Sequence, residues 1–219
     1  MTDDRIDVVL PCLNEAGALP IVLHALPPGY RAIVVDNGST DDSPRIAERL
    51  GAHVVHEKRR GYGAAVHTGL ECATAGIVCF ADADGSLDLA ELPKLVAALH
   101  DGADLAVGRR VPTSRDVWPW HARAGNLLLA SLLRRRGLPV RDIAPLRAVR
   151  RASLLDLGIT DRAFGYPLEL LIKAQRADWR VSEFDVSYGA RAKGTKSKVS
   201  GSVRGTVRAV RDMSRVLAR

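Results

Sequence analysis

The chain predicts an α/β protein with a mostly parallel central sheet flanked by helices. Three observations carry this. Short runs rich in Val, Ile and Leu recur through the first half, separated by stretches of helical spacing. These runs are apolar throughout and do not alternate, as expected of strands covered on both faces. Apolar residues make up 47% of the chain and aromatics only 5%, so small aliphatic side chains must fill the helix–sheet contacts.

The elements follow in order. IDVVLPCL (6–13) reads as the first strand, and a helix covers 16–26. YRAIVVD (30–36) is the second strand. The turn NGSTDDSP then supplies Asn-Gly for a sharp bend and Ser or Asp for a helix start before RIAERLG (45–51). AHVVHE (52–57) is a short strand, 61–74 a helix, GIVCFAD (76–82) a strand, 89–102 a helix and ADLAVGRR (103–110) a strand. The second half is less regular. Residues 111–125 are rich in Arg, Trp and Pro, NLLLASLLRRRG (126–137) is a short apolar segment, and 141–158 is mixed. A helix over 164–179 and a strand over 180–188 precede a basic, Gly-bearing loop (189–202) and a last helix (203–219).

A formal net charge of +7 points to an anionic partner: nucleic acid, a phosphorylated small molecule or an anionic lipid surface. No nucleic-acid recognition motif is present, and few aromatics are available for base stacking. Cys12, Cys72 and Cys79 lack metal-ligand spacing and read as core thiols of a reducing compartment. MTDDRID has no charged-then-apolar secretory pattern, and no apolar run of about 18 residues exists to span a bilayer. The expected location is the cytoplasm, at the inner face of the cell membrane.

Ligands of such sheets bind beyond the carboxyl ends of the strands. Asn14 and Glu15, Asp36 and the pair Asp82 and Asp84 all fall there. FADADGSLD places two carboxylates two residues apart, which a hard divalent cation would stabilise; the plainer reading is a solvated loop. Asp36 reads either as a turn residue or as a contact to a ribose or base edge. KRRGYGAAVHTG contains G-x-G-x-x-A, but not after the first strand, so Gly61 and Gly63 fit a tight helix entry better than a dinucleotide site. His67 reads as structural.

PCLNEA, VVDNGSTDDS, RRGYGAAVHTGLECATAG and FADADG, in this order, resemble the inverting family-2 glycosyltransferases of GT-A fold. Within them the chain looks most like the polyprenyl (dolichyl)-phosphate sugar synthases. The resemblance implies a GT-A domain over 1–200, with a nucleotide-sugar half (1–110) and an acceptor half (111–200), followed by a basic helix (201–219). It implies Mg²⁺ or Mn²⁺ at Asp82 and Asp84, and a nucleotide pocket lined by Pro11, Asn14, Glu15 and Asp36. Phosphates would be held by Arg109 or Arg110 and by Arg191, Lys196 and Lys198. Asp84, Asp142 and Arg109 are the implied catalytic residues. Asp142 has three readings: base for a hydroxyl acceptor, orienter of an Arg or the sugar, or salt-bridge partner of Arg141 or Arg147. Glu169, on its predicted helix, carries a similar choice. Two positions depart from the pattern. Asn37 stands where a second Asp is usual, and Ser86 where many of these synthases carry Gln.

The implied reaction moves a hexose from GDP-mannose or UDP-glucose to a polyprenyl phosphate. Trp118 and Trp120 with the 126–137 segment read either as a membrane-surface attachment or as a short buried helix with a charged end. The arginines Arg204, Arg208, Arg211, Arg215 and Arg219 either meet anionic lipid or face outward from a helix packed on the core. The apolar stretches of the second half also offer a surface for a homo-oligomer. The alternatives are a soluble hydroxyl acceptor such as a phosphorylated small acid, or a non-catalytic module that binds nucleotide sugar or anionic lipid.

Overall fold

The computed structural model describes residues 5–114, 116–192 and 203–218, with side chains in the last stretch described from Val207 onward. Lys196, Lys198 and Arg219, and the side chain of Arg204, lie outside the described residues.

The strands are β1 (Ile6–Cys12), β2 (Tyr30–Asp36), β3 (His53–His56), β4 (Ile77–Phe80), β5 (Leu105–Pro112), β6 (Leu146–Arg150) and β7 (Val181–Tyr188). They form one 7-stranded sheet in the order β3-β2-β1-β4-β6-β5-β7. β1, β2, β3 and β4 pair in parallel, as do β5 and β7, while β6 runs antiparallel between β4 and β5. The helices are α1 (Leu19–His24), α2 (Ser43–Arg49), α3 (Tyr62–Cys72), α4 (Leu92–His100), α5 (Trp120–Arg135), α6 (Arg151–Asp156), α7 (Tyr166–Arg176) and α8 (Val203–Leu217).

The unbroken apolar strands have a direct cause. Val8 and Leu10 of β1 face a core closed by Leu19 of α1 and by Leu92, Leu95 and Leu99 of α4. Val9, between them, faces the opposite core with Val66 and Leu70 of α3 and Leu170 and Leu171 of α7. Both faces of the pleat are buried, so consecutive positions of the strand are apolar.

β6 went unrecognised in the sequence because LRAVR carries arginines at two of five positions. The fold accommodates both. Arg150 donates to the carbonyls of Leu99 (2.5 Å) and Ala103 (2.9 Å), at the end of α4. Arg147 is buried and pairs in register with Phe80 and Val107. Cys12 and Cys79 are core thiols as expected, whereas Cys72 is exposed at the end of α3.

The G-x-G segment enters α3 against a neighbouring loop. Gly63 N donates to Ala163 O (3.0 Å) and Ala64 N to Arg162 O (2.9 Å). A Cβ on Gly63 would lie 2.8 Å from both the Arg162 carbonyl carbon and Tyr166 Cβ. The first amides of α3 are thus spent on protein carbonyls, which accounts for the glycine without a phosphate. His67 lies edge-on to Tyr166, in a structural position. Glu169 is structural too: it accepts from Thr160 N (3.1 Å), Thr160 Oγ1 (3.0 Å) and Asp161 N (2.6 Å). On α8, Ala209 and Val216 are buried against the body, and Val207 and Val210 face outward. No helix among the described residues is long and apolar enough to cross a membrane.

Asp7 ties β1, β2 and the α3–β4 turn. Its fully buried carboxylate accepts from Arg31 Nε (2.8 Å) and Nη2 (2.9 Å), Thr74 N (2.7 Å) and Ala75 N (3.0 Å). Burial pushes its carboxyl up, but these donors outweigh it and hold it below the usual range. Replacement by Ala strands the donors, and an expected loss of about 2–3 kcal/mol lowers Tm by roughly 5–10 °C in thermal denaturation. A depressed folded pKa contributes stability that is complete above the unfolded value, about 3.9, and is lost as pH falls through the folded one. Acid titrations of wild type and Asp7→Ala should therefore converge below about pH 4.

Candidate active site

β1 and β4 are neighbours although β2 and β3 intervene in the chain, so a crevice opens where their carboxyl ends diverge. On its β2 side, short polar side chains stitch two loops together. Asn14 N donates to Ser39 Oγ (2.9 Å), Asn14 Oδ1 accepts from Thr40 N (2.7 Å), and Glu15 N donates to Ser43 Oγ (2.8 Å). Asn14 takes a left-handed φ of 56°, a conformation Asn tolerates. The Asn14 side chain thus ties the loop after β1 to the loop after β2, with the buried Glu15 next to it in the chain.

Asp36 ends β2. Its carboxylate accepts from Ser39 N (3.0 Å) and Gly38 N (3.3 Å) and faces His56 Nδ1 at 3.3 Å. Burial pushes the carboxyl up, and bonds from Ser39, His56 and Gly38 more than reverse the shift. Asn37 has a specific use. Its Nδ2 donates to Glu57 O (3.0 Å) and Arg59 O (2.8 Å), while Oδ1 accepts from Gly61 N (2.8 Å). An ionised Asp could make only the last of these, so the departure from the family pattern fixes the 57–61 loop.

Asp82 and Asp84 follow β4. Burial first, then the Asp84 charge, push the Asp82 carboxyl up against the pull of Arg191, Arg110 and Arg147. Asp84 is buried; Oδ1 accepts from Ser86 N (2.9 Å) and Oδ2 is ion-paired with Arg191 Nη1. Gly85 between them has a φ of +77°, and a Cβ there would sit 3.5 Å from Ala192 Cβ. Among the described residues, no three His, Cys, Asp or Glu side chains cage a metal. Two repelling carboxylates beside Ser86 Oγ, a buried hydroxyl with no hydrogen-bond partner, fit a hard cation that draws its other oxygens from a diphosphate and water.

The other wall belongs to Arg110. Asp142 is 1% exposed and its lone pairs are filled. Oδ2 accepts from Arg110 N (2.9 Å) and Nε (2.9 Å), and Oδ1 from Arg110 Nη2 (2.7 Å) and Ala144 N (3.0 Å). Burial pushes the Asp142 carboxyl up, but Arg110 and the backbone amides bring it below the usual range. Of its three readings, this geometry suits Asp142 as the orienter of Arg110. Its salt-bridge partner is Arg110, neither Arg141 nor Arg147. The Arg110 guanidinium also lies 4.1 Å from the Trp118 ring centroid and 5.5 Å from that of Tyr188.

Arg109 is instead bound to Asp185, its register partner on β7, by Nε (2.6 Å) and Nη2 (2.5 Å). Of the two adjacent arginines, the one engaged with Asp142 is Arg110. A cavity of about 330 Å³ opens beside the pair, lined by Arg109, Arg110, Arg123, Arg134 and Arg141 with Trp118, Asn126 and Asp142. Arg123, Asn126 and the buried Arg147 were missed as site residues. An Arg and an Asn at i and i+3 on a helix carry little signal, and Arg147 reads as one more surface charge. Its Nη2 donates to Ile143 O (2.5 Å), its Nε has no partner, and Tyr62, Asp82 and Asp142 are its electrostatic neighbours. Lys196 and Lys198 fall outside the described residues, so of the late basic group the crevice is seen to contain Arg191.

The matched family is described as "Glycosyl transferase family 2", over residues 7–158, and the chain belongs to it. Its GT-A-type sheet and its standing as a glycosyltransferase follow. A Mycobacterium tuberculosis glycosyltransferase, not characterised further by its name, is 58% identical over 219 residues, covering 100% of both chains. A dolichyl-phosphate hexose transferase of Haloferax volcanii is 33% identical over 202 residues, covering 89% of this chain and 87% of its own. Among solved structures, glucosyl-3-phosphoglycerate synthase of M. tuberculosis in complex with phosphoglyceric acid superposes with a TM-score of 0.74 at 26% identity. It covers 97% of this chain and 78% of that one. The same synthase is also solved with Mn²⁺, UDP and glucosyl-3-phosphoglycerate. These structures correct the acceptor expected from the sequence: they hold a soluble acid where a polyprenyl phosphate and a membrane partner were anticipated. The placement among polyprenyl-phosphate synthases is set aside with it.

The two adjacent arginines should separate cleanly in steady-state kinetics. Arg110→Lys loses the fork on Asp142 and should lower kcat/KM about 100-fold. Arg109→Lys disturbs an exposed pair and should stay within about 3-fold of wild type.

Proposed function

We propose that this glycosyltransferase moves a sugar from a UDP-sugar to a small, soluble, anionic acceptor. The arginine-lined cavity beside the Arg110–Asp142 pair carries the reading, because its volume suits a small molecule and its guanidinium groups suit a phosphate or carboxylate. The solved synthase with bound phosphoglyceric acid supports it.

The donor nucleoside lies along Pro11, the Asn14–Glu15 loop and Asp36. Its diphosphate lies at Asp82 and Asp84, which hold Mn²⁺ or Mg²⁺. When bound, such an ion neutralises charge on the departing nucleoside diphosphate. Arg110 faces the sugar from the acceptor side, with its guanidinium plane set by Asp142, Trp118 and Tyr188. Arg123 and Arg141 receive the acceptor's anionic group. An acceptor hydroxyl attacks the anomeric carbon as the bond to the diphosphate breaks. Asp142 has no lone pair to spare, so the hydroxyl proton passes to water as the nucleoside diphosphate departs as its anion.

Purified protein incubated with labelled UDP-glucose or GDP-mannose, Mn²⁺ and a panel of phosphorylated carboxylic acids should yield a soluble glycoside. EDTA should abolish the product, and Asp84→Asn should reduce turnover about 100-fold or more. Product formed only with a polyprenyl phosphate in detergent, or with no acceptor at all, would overturn the reading.

A further inference from the structure

We infer that Arg191 is the resident counter-ion of the acidic pair, and that a divalent cation competes with it for Asp84 when the site takes up a diphosphate. The inference rests on the reading of Asp82 and Asp84 as metal ligands.

The backbone around Arg191 is fixed to the acidic loop at three points. Leu87 and Tyr188 form a bridge, Gly189 N donates to Ser86 O (2.8 Å), and Ala192 N donates to Asp84 O (3.0 Å). Arg191 therefore stays beside Asp84 whatever its side chain does, and any exchange is a side-chain rotation. Of the two Asp84 oxygens, Oδ1 is held by Ser86 N and Oδ2 by the Arg191 guanidinium. A cation bound to Asp84 would bring its positive charge against the guanidinium on Oδ2, so the two compete for the same carboxylate. Asp82 and Glu15 also act on Arg191, after Asp84 and Tyr188, so three carboxylates bear on one guanidinium.

Two consequences follow. Arg191 weakens binding of a free cation, because its charge already balances Asp84. Once displaced, the guanidinium is anchored within reach of the same crevice with its charge uncompensated, ready for a diphosphate. Cation and diphosphate then bind with positive, reciprocal coupling. The opposite signs of these effects separate this role from a merely structural one, which would weaken both binding steps together.

The test measures Mn²⁺ binding to the full chain by electron paramagnetic resonance, and then UDP binding at saturating Mn²⁺ by calorimetry. Wild type is compared with Arg191→Gln, Arg191→Lys and Asp84→Asn, each checked for an unchanged melting profile. Arg191→Gln should bind Mn²⁺ alone about five-fold more tightly and UDP about five-fold or more weakly. Arg191→Lys, which keeps the charge, should lie between Gln and wild type in both. Equal Mn²⁺ affinity in wild type and Arg191→Gln, or a loss in both steps, overturns the counter-ion role. Mn²⁺ binding that is unchanged by Asp84→Asn overturns instead the metal reading beneath it.

Discussion

Charge balance in a poorly hydrated crevice is the constraint on which this structure turns. Asp82, Asp84 and Asp142 are set by the end of β4 and the segment before β6, and burial pushes the carboxyls of Asp82 and Asp142 up. Arg191, Arg110 and Arg147 answer them from β7's end, β5 and β6. The antiparallel β6 is what makes this possible, because it inserts a buried guanidinium between the strand that bears the acidic pair and the strand that bears Arg110.

The donor side is built differently. Its loops are held by uncharged or locally paired groups: Asn14 on Thr40, Ser39 and Ser43 on backbone amides, and Asn37 on three backbone groups of the 57–61 loop. Such bonds pre-organise a pocket without adding fields that would compete with the acidic pair. Asp36 fits this scheme, since its carboxylate is engaged by its own turn and by His56. A nucleoside meeting it would contact a group already oriented.

The acceptor side is a cavity of cations. Arg110 is locked by Asp142 and two aromatic rings, whereas Arg123 and Arg141 are exposed on its rim. A fixed inner guanidinium with exposed outer ones suits an acceptor that carries its own charge. The relatives differ in the acceptors their names and bound ligands indicate, a dolichyl phosphate in one and phosphoglyceric acid in another, while sharing the family's sheet. A shared sheet thus goes with different acceptors, as expected where function is set by side chains grafted on a common fold.

Local pattern by itself determined the parallel half of the sheet and the strand ends that carry polar groups. Burial on both faces forces apolar runs, and FADADG, VVDNGS and PCLNEA must then begin where those runs stop. Tertiary structure decided what pattern cannot hold. LRAVR hides a central strand, because its arginines become tolerable only beside the carbonyls of Leu99, Ala103 and Ile143. Arg109 and Arg110 are equivalent in sequence, yet the pleat sends one to Asp185 and the other to Asp142. Asp142 has three readings in sequence, and its filled lone pairs suit the one as orienter of Arg110. Which charges meet is set by contacts between segments 30 to 110 residues apart, and no local spacing encodes those.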